Sequence, residues 1–434
     1  MQYNISPETL LEERHPTATV DRILDEEINF ELYKDNAVCA NGAMFRKDVR
    51  GFLPELMEKM YGDRVIFKKR MLQAKQEYEK TPTKALEKEI ARCNNIQMAK
   101  KISLNSAYGA IGNQYFRYYK LANAEAITLS GQVSIRWIES KMNQYLNKLL
   151  QTTDEDYVIA SDTDSIYLNL GPLVDKFFAS KSGDKVAIVG LLDKICEDKF
   201  EPYIDKCYSD LASYVSAYDQ KMQMKRENIA DRGIWSAKKR YILNVWDNEG
   251  VRYTKPKLKI MGIEAIKSST PAVCRVAFKK LFNILIEGTQ EQTQKFIANF
   301  RNEFNEMPVE DKAFPRGVSN VKKYVDKKTI YKKGTPINSR AAILHNHLLE
   351  RHGLKNIAPI RDGEKIKYVY LNPRNPLRED VIAFQNVLPR EFDIHRYVDN
   401  DTQFNKAFLD PAKLILDSIG WKAEDEPSLE DFFG

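Results

Sequence analysis

The chain has 434 residues, 43% of them hydrophobic and 29% charged, with 67 basic against 61 acidic side chains and a net charge of +6. At roughly 100–200 residues per domain it should form two or three domains, and its composition excludes a disordered, collagen-like or low-complexity chain. The most apolar run, Val186–Leu192, falls far short of the ~20 residues a membrane helix needs, so no membrane partner is expected. Five scattered cysteines without a C-x-x-C pair read as reduced thiols and not as a disulfide frame or zinc site.

In chain order, residues 56–114 read as helical, with Leu72, Lys75, Glu79 and then Leu86, Ile90, Cys93 at helical spacing. Thr81-Pro82-Thr83 interrupts them, predicting two antiparallel helices with a tight turn. Lys101, Asn105, Tyr108 and Gly112 recur at i, i+4, i+7 and i+11 and share one face of the second helix. A third helix is predicted over 124–150. The period then changes: Tyr157–Ala160 and Ile166–Leu168 flank Ser161-Asp162-Thr163-Asp164-Ser165 as a β-hairpin. Arg240–Trp246, a turn at Asp247-Asn248-Glu249-Gly250 and Val251–Tyr253 read as a second one. Residues 270–305 look helical, and the class is α+β with segregated elements.

Charge is unevenly spread. Between Arg64 and Lys101 eleven basic residues oppose four acids, so this segment is +7 and the remainder sums to −1. Lys238-Lys239-Arg240 with Lys255, Lys257 and Lys259 forms a second cluster, and Lys322–Lys333 a third. Aromatics lie among them. The pattern fits a polyphosphate partner, bound in a salt-dependent way; solvated faces would look the same.

Two carboxylates, Asp162 and Asp164, at i and i+2 of a hairpin turn can face one pocket. A hard divalent cation would relieve their repulsion, and Mg²⁺ suits a site of one or two carboxylates plus substrate phosphates. Aspartate is also simply a good turn residue. The Lys101/Asn105/Tyr108 face, with Arg64 and Lys68 on the opposing helix, could meet a triphosphate and a base pair. Equally, Gly109 and Gly112 could serve tight helix packing. His345, His347 and His352 match no zinc spacing. No P-loop and no G-x-S-x-G elbow is present.

Together these pieces resemble a family B DNA polymerase, of the T-even phage replicative type. Lys100–Gly109 is similar to the family's fingers motif, motif B. Ser161–Ser165 resembles motif C, Ala237–Tyr241 the K-K-R-Y motif, and Lys257–Gly262 with Lys267–Pro271 the lead into the thumb. Motif C here follows Ala160-Ser161 where the family usually has Tyr-Gly, and the helical hairpin is shorter than in T-even enzymes.

The resemblance implies a right-hand architecture: a partial palm with an antiparallel sheet, helical-hairpin fingers and a mixed thumb. The expected divisions are palm 1–45, fingers 46–114, palm again 115–265, and thumb 266–434 with a clamp-binding tail. It implies Asp164 as ligand of two catalytic Mg²⁺ ions, with Asp162 in a weaker role and Glu227 near the metals. Arg64, Lys68 and Lys101 would bind the incoming dNTP, Lys101 acting also in catalysis, while Asn105 and Tyr108 would check the new base pair. Lys238, Lys239, Arg240, Tyr241, Lys257 and Lys259 would grip primer-template DNA, and Leu429, Phe432 and Phe433 would dock a sliding clamp.

In the family, Asn4–Thr9 directly follows motif A, which supplies the other metal-bridging aspartate. The expectation is therefore the C-terminal subunit of a split polymerase, active with an N-terminal partner chain carrying motif A and the exonuclease domain, in the cytoplasm of an infected bacterial host. A truncated chain would begin the same way. The rival from another class is a non-catalytic primer-template-binding subunit that keeps the fold.

Overall fold

A computed structural model describes residues 1–179 and 183–424. It divides into two compact units, one of residues 1–231 and 245–257, the other of residues 232–244 and 258–434. Helices and small antiparallel sheets are mixed, as expected. Among the described residues no helix is long and apolar enough to cross a membrane.

In the first unit β1 (Leu10–Arg14), α1 (Val20–Leu24), β2 (Asn36–Val38) and β3 (Ala43–Arg46) come first, the strands pairing in the order β1-β3-β2. The long pair α2 (Phe52–Lys80) and α3 (Lys84–Ile111) follows, and the chain turns between them at residues 81–83. Proline cannot continue a helix, and the Thr83 side chain caps the next one by accepting from Leu86 N. Helix α4 (Leu121–Leu150) buries Ser134, Ile138, Met142, Leu146 and Leu150, an i, i+4 stripe. That stripe joins a core with Phe45, Ile23 and Leu173.

Next come the hairpin β4 (Val158–Asp162) and β5 (Ser165–Leu168), then α5 (Gly171–Phe178), α6 (Lys185–Ile195) and α7 (Glu201–Tyr214). A π-turn at Cys196–Phe200 joins α6 to α7 just before Pro202. A proline inside a helical run removes a donor and crowds the preceding turn, and a wider turn accommodates it.

Strands β6 (Asn228–Ala237), β7 (Arg240–Asn248) and β8 (Val251–Met261) form a meander linked by two-residue turns. β7 and the start of β8 stand where the sequence predicts them, whereas β6 carries no such signal, because Asp231-Arg232-Gly233 breaks any alternation.

The second unit continues with α8 (Ala272–Glu287) and α9 (Gln290–Glu306), the single helical run expected for 270–305 being broken at Gly288-Thr289. Thr289 and Gln292 form a reciprocal capping box there. Short α10 (Val309–Lys312), β9 (Phe314–Gly317), α11 (Val321–Tyr324), β10 (Val325–Asp326) and β11 (Ile330–Tyr331) lead to α12 (Ile337–Arg351). β12 (Lys365–Tyr370) and β13 (Val381–Phe384) then pair as β13-β12-β9. Helices α13 (Asn400–Phe404) and α14 (Asp410–Asp417) complete the unit. Its core is aromatic: Phe408 lies 4.6 Å from Phe278 and 4.8 Å from Phe300.

Candidate active site

The Asp162–Asp164 hairpin forms as expected, with Asp162 opposite Ser165 and only Thr163-Asp164 in the turn. Thr163 stands at φ +59. A β-branched residue is strained in the left-handed region, and such strain tends to collect where a site needs a particular geometry. Asp164 N donates to Asp162 O at 2.6 Å and Ser165 Oγ to the same carbonyl at 3.2 Å. Asp162 is half-buried and Asp164 exposed, so the turn holds one carboxylate back and presents the other. The Asp162 side chain accepts from Thr163 Oγ1 at 3.0 Å. Behind the hairpin, burial pushes the Tyr208 hydroxyl up to about 12, with the negative charges of Asp164 and Asp205 adding to it. Tyr208 therefore stays protonated at neutral pH.

Two carboxylates are a sparse donor set, and among the described residues no three His, Cys, Asp or Glu side chains cluster to hold a metal. That set fits Mg²⁺, which is commonly held by one or two carboxylates while substrate phosphates and water fill the remaining positions.

The start of α2 is fastened by residues that carried no role in the sequence reading. Buried Asn4 donates to Arg46 O and Val49 O, each at 2.8 Å, and accepts from Gly51 N at 2.8 Å. Glu8 accepts from Phe52 N at 2.6 Å and so caps the first turn with a negative charge. Asn4 and Glu8 lie 47 and 44 residues before the Gly51 and Phe52 amides they bind, so no local sequence pattern marks them.

Along the α2–α3 pair, Lys100 Nζ reaches Asp63 at 2.9 Å, which sets the register. Arg64 and Lys101 follow one residue on. Neither forms an ion pair among the described residues, and Arg64 Nε is buried without a hydrogen-bond partner. Lys101, Asn105 and Tyr108 are all exposed. A Cβ built on Gly109 would meet nothing within 4 Å, so no close helix packing requires that glycine. Lys68, in contrast, is paired with Glu249 at 2.5 Å.

The basic residues of the meander differ in their surroundings. Lys238 and Lys239 form its first turn and are exposed, Lys239 at φ +63. Gly262 backs that turn at φ +67, and any Cβ there would overlap the Lys239 carbonyl. Arg240 is engaged in a two-pronged pair with Glu264, at 2.9 and 2.6 Å. Tyr241 is 7% exposed and lies 6.1 Å from Trp235, in the core and not on a surface. Lys257 pairs with Glu79 at 2.5 Å and lies over the Tyr253 ring at 4.0 Å. Lys259 is half-buried, and Glu227 is exposed with its carbonyl accepting from Glu249 N. Leu429, Phe432 and Phe433 lie outside the described residues.

The two-aspartate hairpin and the helical pair with Arg64 and Lys101, unpaired among the described residues, make up the candidate site, and sequence comparison gives the class. The model of DNA polymerase family B matches residues 1–208 and 204–407, and the chain belongs to that family. It is 35% identical over 360 residues to the DNA-directed DNA polymerase of Enterobacteria phage T4, covering 80% of this chain and 40% of that one. To the DNA-directed DNA polymerase of Escherichia phage RB69 it is 31% identical, over 100% of this chain and 53% of that one. A more distant match, 23% identical, is DNA polymerase 1 of Pyrococcus abyssi. The chain thus spans about half the length of the curated relatives it matches.

Proposed function

We propose that the chain carries the polymerising part of a phage-type family B DNA polymerase, adding dNTPs to a primer 3′ end on a DNA template. One observation carries this most: the strained Thr163-Asp164 turn and the exposed, uncompensated Lys101/Asn105/Tyr108 face with Arg64 occur in the same compact unit. In this reading residues 1–45 and 115–265 are palm, 46–114 fingers and 266–434 thumb. The tail residues Leu429, Phe432 and Phe433 are assigned to a sliding clamp.

Asp164, with Asp162 beside it, would hold Mg²⁺, which when bound activates the primer hydroxyl and neutralises charge on the phosphates. The chain's own part is positioning and electrostatics. Arg64 and Lys101 receive the triphosphate, and Asn105 and Tyr108 present a polar and an aromatic edge to the new base pair. Lys238 and Lys239 follow the primer-template backbone. Arg240 and Tyr241 are better read as supports of that turn, since one is ion-paired and the other buried. The resemblance puts the remaining metal-bridging carboxylate in a motif A segment that these 434 residues do not contain, and the exonuclease domain with it, whether ahead of them on the same polypeptide or on a partner chain. Such a polymerase would work in the cytoplasm of an infected bacterium.

The test is reconstitution. Primer extension with Mg²⁺ is measured for the 434-residue chain alone and with a chain ending in motif A. Synthesis should need both; robust extension by the chain alone would mean that another carboxylate here completes the site.

The two basic sites should separate kinetically. Lys101→Ala should raise KM for dNTP by roughly tenfold, the loss of one charge-assisted contact. Lys239→Ala should leave that KM alone, weaken primer-template binding and reduce its salt slope by about one unit. Filter binding over a salt series with steady-state kinetics reads both, and exchanged phenotypes would reverse the assignment.

A further inference from the structure

The ion pair between Lys68 and Glu249 joins parts of the chain 181 residues apart. Glu249 and Gly250 are the two turn residues between β7 and β8, at φ +52 and +86. Both positions of such a turn need positive φ, which favours Asn, Asp and Gly. Glutamate is a costly choice there unless its side chain has a task.

The surroundings fix that side chain in place. Asp247, fully buried, accepts from Gly250 N at 2.9 Å and from Arg252 Nε at 2.8 Å, and also pairs with Arg226. Glu249 N is held by the Glu227 carbonyl. The turn therefore offers its carboxylate from a rigid base, and Lys68 Nζ meets it at 2.5 Å with both side chains largely shielded. Arg64, one helical turn earlier on α2, has no such counter-charge among the described residues.

We infer that Glu249 competes with the incoming nucleotide for Lys68 and so sets the affinity of the fingers for dNTP. This rests on the proposed placement of Lys68 at the triphosphate. A polyanion reaching Lys68 meets a carboxylate already there. The two negative groups cannot share one ammonium without repulsion, so binding must draw Lys68 away from Glu249. Every dNTP, matched or mismatched, meets that same barrier, so the competition lowers the affinity for all of them by a common factor. Glu249 is thus a positioning residue that holds Lys68 and weakens dNTP binding, while discrimination between base pairs stays with Asn105 and Tyr108.

The experiment measures equilibrium dNTP binding to the reconstituted polymerase on a dideoxy-terminated primer-template, so that no chemistry intervenes. Glu249→Gln should tighten binding of matched and mismatched dNTP by roughly two- to fivefold, the range of a partly exposed ion pair. Both should gain by the same factor, and a gain confined to one of them would overturn a competition for Lys68 alone. Glu249→Gly, which suits the turn's positive φ, should do the same and guards against a folding defect. In a Lys68→Ala background neither change should matter. If Lys68→Ala weakens dNTP binding but the Glu249 variants do not tighten it, the competition is refuted and the placement of Lys68 survives. If Lys68→Ala binds dNTP like the parent, both fall.

Discussion

Replacing Asp164 with alanine should abolish primer extension by the reconstituted polymerase, whereas Asp162→Ala should leave measurable synthesis. The hairpin gives the two residues different work. Asp164 sits in the turn, exposed, beside a threonine at φ +59, and its carboxylate is available to an ion and a triphosphate. Asp162 is half-buried, and its carbonyl accepts from both Asp164 N and Ser165 Oγ. Alanine retains that carbonyl, so the turn survives the change at 162. If Asp164 holds the ion as proposed, losing its carboxylate should remove several kcal/mol of transition-state stabilisation, roughly a thousandfold or more in rate. Single-turnover extension with primer-template binding measured in parallel reads the difference. Equal, mild losses in both variants would remove Asp164 from the centre of the site.

The largest effect on stability should come from Asp247→Ala. Asp247 is fully buried between two arginines that also share Asp193, with Arg252 reaching Asp193 at 2.9 Å and Arg226 pairing with both acids. Alternating charges in such a ring compensate one another, and removing one acid leaves two guanidinium groups sharing the single carboxylate of Asp193. Breaking a buried pair on one side typically costs about 3–5 kcal/mol. The matching surface change, Asp48→Ala opposite Arg46, involves exposed groups and should leave the denaturation midpoint where it is. Urea titration of the three proteins decides. If Asp247→Ala unfolds with the parent's midpoint, the ring contributes nothing to stability, and the rigid base ascribed to Glu249 goes with it.

Local chemistry made much of the fold legible in the sequence. The helices were visible because apolar residues recurred at helical spacing and Thr81-Pro82-Thr83 allowed only a turn. The Asp162–Asp164 hairpin was visible because two β-rich runs flanked polar residues. These are interactions within a few residues, and sequence order specifies them. Strand β6 was not visible, since Asp231-Arg232-Gly233 has no strand character of its own. It is extended because β7 lies beside it.

The site divides along the same line. That Asp164, Lys101 and Lys239 are candidates for the chemistry followed from motifs read in order. Which of the other cations are neutralised was decided only by tertiary pairing. Lys68 meets Glu249, Lys257 meets Glu79 and Arg240 meets Glu264 across separations of 181, 178 and 24 residues. Tyr241, an aromatic in a basic run, is turned into the core. A charged side chain's availability depends on what lies within about 4 Å of it in space. Residue type and spacing define a cation, and only the folded chain brings, or withholds, the carboxylate that neutralises it.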